Sequence, residues 1–356
     1  MPDLQSTNAA VRAKCAAVSL RKGFRMRRLQ PGFEPSRRTV LALSALASAP
    51  LIGPDFAAAA EPWPTRAVKI IVPVAPGTAT DLTARIFADK LSPLWGQPVV
   101  IENRPGADGL IAIGSFVSGR DDHTLLFSFS TAVSLNPLVH AKLPYDPAVD
   151  LVPVTTTTEV VLAVGAHIGL GASTLGELVA RVKAEPGKFN WAAAPGLPRF
   201  VFEGFRNAAG LSMAYVPYNQ TGSAAQDLGE GRIHVTIAAV STLLPVAEAG
   251  KIKLLAVTSR DRAALVPDVP SAIEAGHPSL VVPALGCVFG WKDMPVELRA
   301  RIARDIDAAA TDSAVVDRLA KVGQTVRRST PADLARLLAE QRVQLAPIAA
   351  ALAAAR

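Results

Sequence analysis

Cysteine is nearly absent. Of the two in 356 residues, Cys15 lies in a basic N-terminal stretch and Cys287 stands alone in the rest. The body of the chain therefore has no internal disulfide and no cysteine-based zinc site, and Cys287 reads as a small buried hydrophobe. Histidine is equally thin: His123, His140, His167, His234 and His277 are scattered without metal-ligand spacing, and no HExxH occurs. The glycine signatures of nucleotide sites are missing too. Gly169-Leu170-Gly171 lacks the remaining glycine of a dinucleotide fingerprint, and there is no P-loop and no G-x-S-x-G elbow. No metal, no cofactor and no enzymatic activity is expected from this inventory. The body also lacks an excess of charge. Six of the seven net positive charges fall in residues 1–60, where nine Lys/Arg meet three acids. The remainder is close to neutral and offers no basic groove, which excludes nucleic acid as a partner. No apolar run approaches the about 20 residues of a membrane span. The Ala-rich stretch 332–355 is broken by Arg336, Glu340 and Arg342.

What is present begins with a leader. Arg37-Arg38 precedes an apolar run from Val40 to Ile52, then Ala57–Ala60 and Glu61-Pro62. Basic region, short apolar region and small residues before a cleavage point define an export signal over residues 1–60. The twin arginine points to the Tat route, cleavage is expected after Ala60, and Met26 is better placed than Met1 as a start. The body is then expected in the periplasm.

The body is organised around Lys69–Arg85. The β-branched run Lys69–Val74 stops at Ala75-Pro76-Gly77, and an amphipathic helix opens at Thr78-Ala79-Thr80-Asp81. Thr78 as N-cap with Asp81 three residues on is a capping-box variant. The loop ends at helix N–H groups with no intrahelical partner, where the helix dipole favours an anion. Further strands are expected at Val99–Glu102, Thr124–Phe129, Phe189–Ala192, Met213–Val216, Ile233–Ala238 and Lys253–Val257, alternating with helices. This is the pattern of an α/β fold with parallel sheet. Two extended runs, Val152–Ala163 and Val281–Gly290, are suited to crossovers between domains. They place residues 61–157 with 284–356 in one domain and 158–283 in a second, inserted one. Ligands of open α/β sheets bind at the carboxyl ends of strands.

Several blocks together carry a resemblance. Trp63-Pro64 and Ile70–Gly77 with Asp81 and Arg85 form the first, and Gln97–Ala107 the second. Pro144-Tyr145-Asp146, Val216-Pro217-Tyr218, Asp227-Leu228 with Gly231, Ala249-Gly250-Lys251, Leu255–Ser259, Arg262, Pro267–Pro270 and Glu274-Ala275-Gly276 follow in order. From about Glu61 to its end the chain resembles the Bug family, periplasmic substrate-binding proteins related to tripartite tricarboxylate transporters. The resemblance implies a two-domain periplasmic binding protein of type II, a Venus flytrap. It also implies a small carboxylate held largely by backbone N–H groups and water, with membrane transporter subunits as partners. Carried over, Ala75, Pro76, Gly77, Thr78, Ala79, Thr80 and Asp81 form the anion loop. Ser128, Ser130 and Thr131 form the second loop of that domain, and Ala193, Ala194 and Gly196 the facing loop, with Arg199 beside it.

Two departures stand out. Thr78 occupies a position where the family usually has a second glycine. The segment Asn190–Phe200 is mostly apolar and short, and Pro195 and Pro198 remove two N–H donors. A less polar acid, aromatic or branched, suits Trp191, Leu197 and Phe200 better than a tricarboxylate. For single residues two roles stay open. Asp81 is a ligand partner or a cap, Arg199 a carboxylate partner or a solvated first-turn residue, and Trp191 core or pocket wall. The reading is a monomeric periplasmic receptor that captures a small carboxylate between two domains for a tripartite tricarboxylate-type transporter. The alternatives are a receptor feeding a sensor kinase and a secreted hydrolase. The hydrolase would need Ser128 or Ser130 as nucleophile, and neither has elbow glycines.

Overall fold

A computed structural model describes residues 63–218 and 221–354; the expected leader lies outside them. The chain forms two sheets. The first contains β1 (Val68–Val72), β2 (Val99–Asn103), β3 (Thr124–Phe129), β4 (Val152–Val160), β10 (Ala284–Gly290) and β11 (Thr325–Val326), in the order β11-β4-β10-β3-β1-β2. The second contains β5 (Leu162–His167), β6 (Asn190–Ala193), β7 (Ala214–Pro217), β8 (Val235–Ala239) and β9 (Ile252–Val257), in the order β7-β6-β8-β5-β9.

The expected parallel pairing holds within each half: β1 runs parallel to β2 and β3, and β6 parallel to β7 and β8. The strands that carry the chain between sheets break it. β10 lies antiparallel to β3 and β4, and β5 antiparallel to β8 and β9. The reason is connectivity. A single residue, Val161, separates β4 from β5, so the chain leaves one sheet and enters the other without a crossover helix to reset its direction. The run Val152–Ala163 is indeed one of the two crossovers. The return runs from β9 to β10 through a long segment that includes a short 3-10 turn at Pro278–Leu280.

Both sheets are covered on both faces, which is why their strands read as continuous apolar runs. In the first, Val68, Ile70 and Val72 pack with Ile86, Phe87, Leu91 and Trp95 of the Ala79–Trp95 helix and with Ile302 and Ile306. Ile71, on the opposite face, packs with Ile113, Phe116, Leu126, Phe289 and Leu334. In the second, Val164, Trp191, Val235 and Ile237 meet Phe202 and Phe205, while Ala163, Ala192 and Ala238 meet Leu228, Leu243 and Leu254. Trp191 is completely buried, with its ring 4.6 Å from that of Phe202; it is core and not pocket wall. Tyr218 donates to Asp227 at 2.5 Å.

Candidate functional site

A cavity of about 730 Å³ lies between the two sheets. Strands β1, β2, β3 and β6 all point their carboxyl ends at it. Pro73 and Val74 line it after β1, Gly106–Gly109 after β2, Phe129–Thr131 after β3, and Pro195–Phe200 after β6. The crossing strands close it with Val160, Leu162, Ala284 and Leu285, and Leu135, Asn136, Val139 and His140 complete the wall.

Of the residues expected from the sequence, Ser130, Thr131, Gly196 and Arg199 are brought together on this wall. Ser130 anchors its loop through backbone bonds, with its N–H on the Leu285 carbonyl at 3.0 Å and its own carbonyl accepting from Val133 and Ser134. Its Oγ is left with no partner among the described residues, although the residue is only 1% exposed. Gly196 takes φ 85° and caps the Leu197–Ala209 helix, whose first turn holds Leu197 and Pro198 with Arg199 at its third position. The Arg199 guanidinium stacks 4.4 Å over the Tyr215 ring, and its buried Nε has no hydrogen-bond partner among the described residues. Tyr215 in turn donates to the Ala193 carbonyl at 3.2 Å. Burial pushes the Tyr215 phenol above its ordinary value against the opposing charge of Arg199.

The remaining expected residues stand elsewhere. Ala75, Pro76, Gly77 and Thr78 are exposed, and Ala79 and Thr80 are half-buried; none is on the cavity wall. Asp81 is 1% exposed and faces its own loop. It accepts from the Gly77 N–H at 2.8 Å, from Arg85 at 3.0 Å and from Asn103 at 2.8 Å. Burial raises the Asp81 carboxyl, but these three bonds outweigh it and hold it below the usual carboxylate range. Thr78 is the N-cap, accepting from the Asp81 N–H at 3.4 Å. Ser128 lies inside β3, 2% exposed and opposite Cys287 in the register. Ala193 is buried at the end of β6 and Ala194 half-buried beyond it, both off the wall.

The sequence reading missed several segments of the wall, among them 106–109 and 135–140. Residues 106–109 all take positive φ: 121° at Gly106, 48° at Ala107, 53° at Asp108 and 86° at Gly109. Non-glycine residues in that region carry strain and recur where a loop is fixed for function. Asn136 holds the loop, donating to the Asp108 carbonyl and to Tyr145 Oη, each at 3.3 Å. His140 Nε2 lies 3.2 Å from Asp108 Oδ2. The legible signal was Gly106 and Gly109 bracketing a strand end beside β1.

Among the described residues, Asp121, Asp122 and His123 alone bring three potential metal-ligand side chains together. Both carboxylates pair with Arg66, and His123 Nε2 accepts from the Thr65 N–H. The Arg66 bond holds the Asp121 carboxyl far below its ordinary range. This cluster ties down the segment before β1.

The family model for the tripartite tricarboxylate transporter family receptor matches residues 83–353. The chain belongs to this family. It is 32% identical over 289 residues to a UPF0065 protein of Bordetella bronchiseptica, covering 81% of this chain and 86% of that protein. It is 33% identical to BugT of Bordetella pertussis, covering 76% and 85%. R. palustris Rpa4515, solved with adipate, matches with TM-score 0.69 at 28% identity over 81% of this chain and 98% of that one. MatC of Rhodopseudomonas palustris, solved with bound malate, matches with TM-score 0.67 at 28% identity over 81% and 100%. The receptor family consists of periplasmic binding proteins, and the two-sheet architecture is the family fold.

Proposed function

We propose that this receptor captures a small carboxylate in the cleft between its sheets, in the periplasm, and presents the closed form to the membrane subunits of a tripartite tricarboxylate-type transporter. The observation that carries the reading is the cavity at the carboxyl ends of β1, β2, β3 and β6, in a family whose relatives were solved with adipate and malate. Residues 61–157 with 284–356 form one lobe in this reading and 158–283 the other, so that ligand closes them about the strands between. Backbone N–H groups at a helix start can hold a carboxylate without a buried cation for each oxygen. Thermal-shift screening of the purified protein against a panel of mono-, di- and tricarboxylates tests it. Stabilisation by at least one acid is expected, about 2.7 kcal/mol at a hundredfold excess over Kd. No shift with any acid, together with turnover of an ester, would sink it.

A further inference from the structure

Resting on that carboxylate reading, we propose that the cleft is built for a monocarboxylic acid with a bulky apolar body, aromatic or branched, and that Arg199 and Ser130 receive its single carboxylate. The argument begins with where Arg199 sits. It is the third residue of the Leu197–Ala209 helix, where the dipole disfavours a cation. No acidic side chain pairs with it among the described residues, and its Nε is buried without a partner. Tyr215 covers one face of the guanidinium at 4.4 Å. The stack fixes the plane of the guanidinium, and a carboxylate oxygen pair meets such a plane edge-on. A free cation held against its own helix dipole lacks only an anion, and the dipole itself attracts one.

Ser130 is the independent observation. The residue lines the same cavity from the opposite sheet, and its hydroxyl is almost fully buried and left unpaired among the described residues. A buried unpaired hydroxyl is costly unless a partner arrives. One carboxylate bridging Arg199 and Ser130 satisfies both halves of the cleft at once and gives closure a chemical trigger.

The rest of the cavity argues against a second carboxylate. Leu135, Val160, Leu162, Leu197, Phe200 and Leu285 form its apolar walls. The other cation-capable side chain on the wall, His140, has its Nε2 3.2 Å from Asp108 Oδ2 without hydrogen-bond geometry. A distal carboxylate would lose its hydration against leucine side chains or face Asp108. An apolar body instead fills a volume in the range of sites that bury ligands larger than short diacids.

Isothermal titration of the purified protein with 2-naphthoate, 4-phenylbutyrate, adipate and malate tests this, with 2-naphthamide as the uncharged control. Wild type is expected to bind the two apolar acids at least about tenfold tighter than either diacid and than the amide. Arg199→Gln should weaken the apolar acids by about tenfold or more and leave the amide unchanged. Its unfolding temperature without ligand should hold or rise, because a cation is removed from a helix N-terminus. Arg199→Lys, which keeps the charge and loses the fork, should fall between. Tighter binding of adipate or malate, or affinities indifferent to Arg199, would overturn this inference and leave the carboxylate receptor standing. No binding by any of the acids, here and in the wider carboxylate panel, would overturn both.

Discussion

The carboxylate of Asp81 is fully occupied inside its own loop. Gly77, Arg85 and Asn103 donate to it, and the residue is 1% exposed. It therefore holds the turn after β1 rather than offering itself to a ligand. Asp81→Asn should cost about 2 kcal/mol in urea unfolding at pH 7, the scale of lost hydrogen bonds to a buried charge. The sign with pH follows from a folded-state pKa below the ordinary 3.8. The contribution is complete above 3.8 and drains away as pH falls through the lowered value, so the gap between wild type and variant should close in acid. A gap of constant size down to the acid transition would show that charge plays no part. Local chemistry of this kind was legible, because Thr78, Asp81 and Arg85 lie within two helical turns. Ser128 and Ser130 are not separable in the local sequence. Strand alternation puts Ser128 on the face of Leu126, against Cys287, while Ser130 escapes the strand into the cleft. The stacking of Arg199 on Tyr215 joins a helix to a neighbouring strand and leaves no mark in local sequence.

At the scale of elements, the loop 106–109 sets one wall. Gly109 takes φ 86°, and a Cβ there would sit 3.2 Å from Pro73 Cβ, a rigid neighbour that itself lines the cavity. Gly109→Ala should destabilise by about 1–3 kcal/mol through the left-handed backbone and push Pro73 into the cleft. Loss of ligand affinity beyond the loss of stability, read by titration well below the unfolding temperature, checks it; unchanged affinity would detach the loop from the site. The crossovers were legible because β4 and β5 merge into a β-branched run too long for one strand. Helix faces were less so. Leu82 and Leu94, near the same face as the buried Ile86 and Leu91 by helical spacing, are 37% and 55% exposed, because Phe87 and Trp95 turn the larger apolar area inward. The aromatic residues, with more surface to bury, decide the rotation.

For the whole molecule, the Pro331–Ala354 helix is the third link between the halves. It starts on the first sheet with Leu334 and Leu338, then crosses so that Leu345 joins the core of the second. Gln341 and Gln344 donate to the Pro283 and Val281 carbonyls at 2.7 and 2.8 Å, tying it to the return segment before β10. Gly204 admits Ile348 so closely that a Cβ would lie 2.5 Å from its Cδ1. Leu135, which follows β3 of the first sheet, also belongs to the core of the second. In the proposed closing motion, closure and helix docking share this apolar surface. Leu345 is completely buried and lies off the cavity wall. Leu345→Ala should cost about 2–5 kcal/mol and bias the unliganded molecule toward open forms. Apparent affinity would fall in proportion to the closed fraction, with no ligand contact altered. Small-angle scattering should show a larger radius of gyration than wild type without ligand, and the wild-type value at saturation. A variant that is less stable yet scatters and binds as wild type would mean that the helix braces the fold without governing closure.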